Sequence, residues 1–281
     1  MKRQTIILLF SILATSLFLS CKQKTIKTEE KDFVKKYYLS GDTSKGALSI
    51  DIEVEIPVAF VNKDVLKSIR TNIISNLFGN EYISLTNDSL ILQFTKDLVT
   101  DYKDNNEALL NKMDSSSMYS FNNEHVVTGF SLLSDKKIYV YGIDRYVYMG
   151  GAHGLETRNY YNFDLKTGNI ISEKDLFKQG YEPELSELIK KRIVEQSKET
   201  KDSKDTEPIL SLEDTDFWAD SIKPNSNFYI TDESINYVFN PYEIAPYYIG
   251  QTEVSIPFNR LKNLLKPNNI IAYLIEKQAN I

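Results

Sequence analysis

Leu48-Ser49-Ile50-Asp51-Ile52-Glu53-Val54-Glu55-Ile56 alternates apolar and polar residues without a break. A period of two puts the apolar residues on one face and the acids on the other, which is the pattern of a half-buried strand. The period then changes. Val65, Ile69, Ile73 and Leu77 recur every four residues, so a helix is expected over Asn62 to Phe78. Asn62 suits its cap, Asp64 its first turn and Gly79 its stop. A second helix is expected from about Lys96 to Met113, with Leu98, Tyr102 and Leu109 inward.

Strand language resumes downstream. Met118 to Leu133, Lys137 to Tyr148 and Leu155 to Asp164 are dense in Tyr, Val, Ile and Phe. Turns are expected at Ser134-Asp135-Lys136 and at Asp164 to Asn169, so this block reads as an antiparallel meander. A helix starts at Glu182 with Pro183 in its first turn. Leu185, Leu188, Ile189 and Ile193 form its apolar face, and Glu187 with Lys191 makes an i,i+4 pair. The polar run Gln196 to Glu207 reads as a solvated helix end and loop. Phe228 to Ile230, Ile235 to Phe239 and Thr252 to Ile256 are strand-like. A final helix through Phe258, Leu261 and Leu265 ends at Pro267. The expected fold class is α+β: antiparallel sheets with helices packed against them, in two consecutive subdomains, 46–145 and 146–281.

The first residues carry an export pattern. Lys2 and Arg3 precede an apolar run, Ile6 to Leu19. It falls short of the roughly 20 residues that span a bilayer and fits a signal peptide over residues 1–20. Leu17-Phe18-Leu19-Ser20-Cys21 resembles a lipobox, and Cys21 is the only cysteine in the chain. A lone cysteine makes no internal disulfide, whereas lipidation gives it a use. Cys21 is therefore the expected lipid attachment, holding an envelope lipoprotein to its membrane and facing the periplasm or the cell exterior. Residues 21–45 are polar and read as a flexible tether, of which Phe33 to Leu39 is the part suited to docking on the domain.

Charge narrows the partners. The chain has 33 basic and 39 acidic side chains. Losing Lys2 and Arg3 with the signal leaves a charge of −8. Nucleic acid is therefore excluded as an expected partner, and a basic protein is compatible. No metal or other cofactor is expected, because His125 and His153 stand apart and neither sits in a ligand cluster. No G-x-S-x-G elbow exists, and no catalytic residue is assigned.

Two segments stand out. The first is Tyr148-Met149-Gly150-Gly151-Ala152-His153-Gly154, whose glycines imply left-handed backbone, a bulge or a close approach. His153 there could contact a ligand or act as a base; structurally, it could bond across the turn and pack on Tyr148. The second is Asn240-Pro241-Tyr242-Glu243-Ile244-Ala245-Pro246-Tyr247-Tyr248-Ile249-Gly250. It reads as a rigid aromatic patch or as a buried crossover with tyrosines filling the core. The candidate ligand-binding residues are Tyr148, Gly151, His153, Tyr242, Tyr247 and Tyr248.

These segments carry a family resemblance. With Asn162-Phe163-Asp164, Thr167-Gly168, Asp175-Leu176-Phe177 and Val254-Ser255-Ile256-Pro257, they resemble a domain of unknown function. That domain ends RsiV-type lysozyme-sensing anti-sigma factors and lies in the accessory region of PdaC-type peptidoglycan deacetylases. Residues from about Leu48 to Tyr119 look more loosely like its companion domain. The resemblance implies an envelope α+β module linked to peptidoglycan or lysozyme, and supplies no catalytic residues. No counterpart of the sigma-binding part, the membrane span or the deacetylase domain is expected in this sequence, and so neither activity is expected to transfer. A non-enzymatic binding module for cell-wall glycan or a lysozyme-like protein is expected. The rival reading is a wall-glycan hydrolase using His153 and a nearby carboxylate.

Overall fold

The computed structural model describes residues 25–110, 112, 121–200 and 209–279. The chain forms two sheets and six α-helices among these residues. The larger sheet has the order β1-β2-β3-β4-β5, from β1 (Lys27–Tyr38), β2 (Ala47–Ala59), β3 (Asn123–Ser134), β4 (Ile138–Met149) and β5 (Leu155–Asp164). The smaller sheet is β6 (Phe228–Ile230), β7 (Ser234–Phe239) and β8 (Thr252–Pro257), in that order. The helices are α1 (Lys63–Leu77), α2 (Asn87–Leu110), α3 (Glu173–Leu176), α4 (Glu182–Thr200), α5 (Phe258–Leu261) and α6 (Ala272–Ala279). The class is α+β.

The alternation in β2 translates directly into burial. Leu48, Ile50, Ile52, Val54 and Ile56 are all buried. They face α1, whose stripe Val65, Ile69, Ile73 and Leu77 is equally covered. Asn62 Oδ1 accepts from the amides of Asp64 and Val65 at 3.0 and 3.3 Å, which caps the helix. Such a cap contributes about 1 kcal/mol.

Sheet order departs from a pure meander at one place. β2 and β3 pair in parallel, and α1 and α2 form the crossover between them. The other pairings in both sheets are antiparallel. Helix α2 begins nine residues earlier than expected, since Thr86 starts it: its Oγ1 accepts from the Ser89 amide at 3.3 Å. The earlier start makes Leu90, Ile91, Thr95 and Tyr102 the buried positions, while Leu109 is exposed rather than inward. Lys190, not Lys191, pairs with Glu187, at 2.8 Å. Helix α5 stops at Leu261, and α6 follows Pro267, so the last helix lies further on than the sequence suggests.

The expected flexible tether is corrected over its described part. Residues 27–38 form β1, paired with β2 along its whole length. The edge position explains why so polar a run folds. Backbone bonds to β2 and the packing of Phe33 and Tyr37 hold it, while its charges keep a free edge from pairing with other chains. Residues 1–24, with the signal and Cys21, lie outside the described residues.

Strand β4 joins two cores. Tyr139, Tyr141 and Ile143 point into the cluster under α1 and α2. Ile138 and Val140 point into a second cluster with α4 and the small sheet. The expected boundary at 145/146 falls inside this strand.

Three asparagine side chains then tie the outer edge of β5 to the small sheet. Asn162 donates to the Phe228 carbonyl at 2.7 Å and accepts from the Ile230 amide at 3.0 Å. Asn227 accepts from the Tyr160 amide at 3.0 Å and donates to the Arg158 carbonyl at 2.7 Å. Asn240 accepts from the Arg158 amide at 2.7 Å. A side-chain amide offers the same donor and acceptor as a peptide, so these residues finish a strand edge without a further strand.

Candidate functional site

The β4–β5 hairpin ends in the glycine turn. Gly150 and Gly151 have φ of 80° and 107°, a region that side chains with a Cβ rarely enter. Gly154 is needed for another reason: a Cβ there would stand 2.4 Å from the Tyr146 ring. Tyr148 closes the turn by donating from Oη to the Gly151 carbonyl at 3.0 Å. The glycines thus have backbone causes, and the turn they make leaves His153 exposed.

The proline–tyrosine segment packs beside this turn. Asn240 fixes its start to β5, as above. Ile244 and Ala245 are buried, and the Ile244 carbonyl accepts from the Trp218 amide at 2.8 Å. The apolar middle of the segment is core, while Tyr247 is half-buried and the other two tyrosines are exposed. Tyr242 is 53% exposed and Tyr248 69%. Tyr242 also holds a φ of 71°, where a bulky residue costs of order 1–3 kcal/mol and where such strain clusters at functional sites.

The two segments meet at one carbonyl. The Gly154 carbonyl lies 2.9 Å from His153 Nδ1 and accepts from Tyr247 Oη at 2.9 Å. A carbonyl only accepts, so Nδ1 carries the hydrogen in that bond. The His153 ring stacks on Tyr247, with centroids 3.9 Å apart and planes 21° apart. Tyr242 continues the row, 5.5 Å from Tyr247. Partial desolvation, and then the Asp216 carboxylate, raise the Tyr248 phenol above its ordinary value.

Of the six candidates, His153, Tyr242 and Tyr247 form one aromatic shelf. Gly151 and Tyr148 shape the turn that carries His153, and Tyr248 stands exposed in the same segment as Tyr247. His153 packs on Tyr247 and not on Tyr148, because the second segment reaches the turn through tertiary contacts. Sequence reasoning passed over Trp218, which is 43% exposed and bonded to the segment through Ile244. The signal was available: it is the only tryptophan, set in a polar run.

The shelf lacks the parts of an acid–base pair. His153's hydrogen bond goes to a backbone carbonyl, and among the described residues no carboxylate is bonded to it. Among the described residues no cluster of three or more His, Cys, Asp or Glu could hold a metal ion.

Comparison with known proteins finds a family match to part of the chain. Residues 174–259 match the model of a family described as "Protein of unknown function (DUF3298)". The chain is 25% identical over 223 residues to the peptidoglycan-N-acetylmuramic acid deacetylase PdaC of Bacillus subtilis, covering 73% of this chain and 45% of that protein. It is 35% identical over 117 residues to the anti-sigma-V factor RsiV of the same organism, covering 41% of this chain and 39% of that protein. The chain thus spans less than half the length of these relatives. A solved DUF3298-family protein from Bacteroides fragilis matches with a TM-score of 0.80 at 25% identity, over 90% of this chain and 99% of its own. A second, from Pseudomonas aeruginosa, shares the fold with a TM-score of 0.53 at 16% identity, over 86% of this chain and 95% of its own. Residues 174–259 thus match a domain of unknown function, in a chain that is similar over part of its length to the RsiV and PdaC relatives.

Proposed function

We propose that this protein is a lipid-anchored, non-enzymatic binding module of the bacterial envelope, and that the shelf of His153, Tyr242 and Tyr247, with Tyr248 beside it, contacts a cell-wall ligand. The observation that carries this reading is the ring row in which exposed His153 and Tyr242 flank half-buried Tyr247, with His153 and Tyr247 both bonded to the Gly154 carbonyl. Flat ring faces pack on the C–H faces of sugars and anchor protein partners, and a fixed row loses little entropy on binding. The relatives named for a peptidoglycan deacetylase and an anti-sigma factor support a wall-related ligand.

Two ligand classes fit: wall glycan, or a wall-acting basic protein such as lysozyme. A mature charge of −8, after Lys2 and Arg3 leave a chain of formal charge −6, would speed encounter with a basic protein. Cys21 serves as the anchor in this proposal. Ile26 is already buried and β1 starts at Lys27. A lipid on Cys21 would therefore hold the folded domain within about 20 Å of the membrane, six residues of extended chain.

Retention of the mature protein on purified peptidoglycan and on immobilised lysozyme tests the reading. Tyr242→Ala with Tyr248→Ala should reduce retention at least tenfold while the protein stays folded. Retention on neither matrix, by a folded protein, overturns it. Mass spectrometry of the membrane fraction tests the anchor: an unacylated Cys21 would remove it.

A further inference from the structure

A second surface, separate from the aromatic shelf, gathers four lysines. The bridge between Phe177 and Leu265 fixes two chain segments side by side. The Lys178 amide donates to the Leu264 carbonyl at 2.8 Å, and the Lys266 amide to the Leu176 carbonyl at 2.8 Å. Lys174 and Lys178 on one segment therefore stand against Lys262 and Lys266 on the other. All four are exposed.

The two central cations, Lys178 and Lys266, are held by main chain. Lys178 Nζ donates to the Asn263 carbonyl and Lys266 Nζ to the Lys174 carbonyl, each at 2.5 Å. None of the four makes an ion pair with a described carboxylate. A carbonyl bond orients an ammonium without cancelling its charge, and each ammonium keeps two further donors. Asp175 is committed to capping Ser172. Four exposed lysines gathered on a chain of net charge −6 are a departure from its general character.

The lysines line two adjoining clefts of about 410 and 330 Å³. Lys178 and Lys266 belong to both, Lys174 to the first and Lys262 to the second. Each cleft also contains one acid, Glu182 or Glu276, leaving both positive. Compact ammonium groups recognise phosphate as point charges. Two concave sites sharing their central pair suit successive charges along a narrow chain better than a flat anionic surface.

We propose that this groove binds an extended phosphate-bearing polyanion, with Lys178 and Lys266 at its centre. This site is independent of the aromatic shelf. The test is binding of inorganic polyphosphate to the mature protein at 50 and 200 mM salt, beside inorganic phosphate and vesicles containing phosphatidylglycerol. Four lysine–phosphate contacts should weaken polyphosphate binding about fiftyfold between the two salts, by counterion release from a single-stranded polyanion. Lys178→Gln with Lys266→Gln should weaken it at least tenfold at low salt. Lys178→Arg with Lys266→Arg should retain it, as should Lys35→Gln with Lys36→Gln on the edge strand. Circular dichroism confirms that each variant is folded. The proposal is overturned if polyphosphate fails to bind at 50 mM salt, if the folded glutamine variant binds it equally, or if only the vesicles bind.

Discussion

His153 lies flat on Tyr247, and both side chains bond to the same carbonyl, that of Gly154. This joins a hairpin turn to a loop 93 residues away in sequence. The shelf is thus a tertiary object whose geometry depends on a single backbone oxygen.

Tyr247→Leu removes the stack and the hydroxyl bond together. It should cost about 1–2 kcal/mol, the usual worth of an aromatic pair plus one partly exposed hydrogen bond. Thermal unfolding should show a Tm lower by several degrees, while Tyr247→Phe loses only the bond and falls less. Equal Tm values for both variants and the parent would show that the stack holds nothing.

The glycines should respond differently. Gly154→Ala brings a Cβ 2.4 Å from the Tyr146 ring and should cost about 1–3 kcal/mol by overpacking. Gly151→Ala meets open space but keeps a φ of 107°, so its cost is backbone strain. Adding Tyr146→Ala should rescue the first and leave the second unchanged. Denaturant midpoints of the single and double variants decide this.

Tyr242 separates stability from binding. Its φ of 71° is one that asparagine accepts far more readily. Tyr242→Asn should therefore leave Tm unchanged or higher while ligand retention falls. A clear loss of Tm would mean that the ring's packing on Tyr247 outweighs its backbone strain.

Asn162 should be among the costliest polar residues to remove. It is 2% exposed, and Asn162→Ala strands the Ile230 amide and the Phe228 carbonyl. Each orphaned buried group costs about 1–3 kcal/mol. The exchange of the β6 amides should quicken in the variant. Unchanged exchange would show that solvent or a neighbour replaces the asparagine.

Stability should carry a histidine signature from His125. Burial, and then the Arg145 charge, hold its pKa below the ordinary 6.5. The unfolded chain then binds the proton more readily than the fold does. Stability is therefore complete above about 6.5 and declines as pH falls from there toward the depressed native value. His125→Gln should flatten that part of a stability–pH curve. A slope of unchanged size would assign it to other groups.

Much of the fold could be read locally. The β2 alternation, the α1 stripe with its Asn62 cap, and the β5 limits are short-range patterns, and each element follows from its own residues. What misled was also local. β1 reads as a tether because its stability lies in a partner strand, and α2 begins upstream of its expected start because Thr86 caps it ahead of the apolar positions expected to face inward.

Both unusual segments were visible as strings, for glycine and proline declare backbone needs wherever they stand. Their meeting was not. Periodicity says which face of an element is apolar, and is silent on which distant loop reaches it. The docking of Asn240 on β5 and the burial of Ile244 decide that Tyr247 lies under His153. The lysine groove is likewise written in pairs four residues apart, yet only the bridge between Phe177 and Leu265 sets the pairs face to face. Local chemistry is set by covalent neighbours; juxtaposition is set by the packing of cores that no single segment contains.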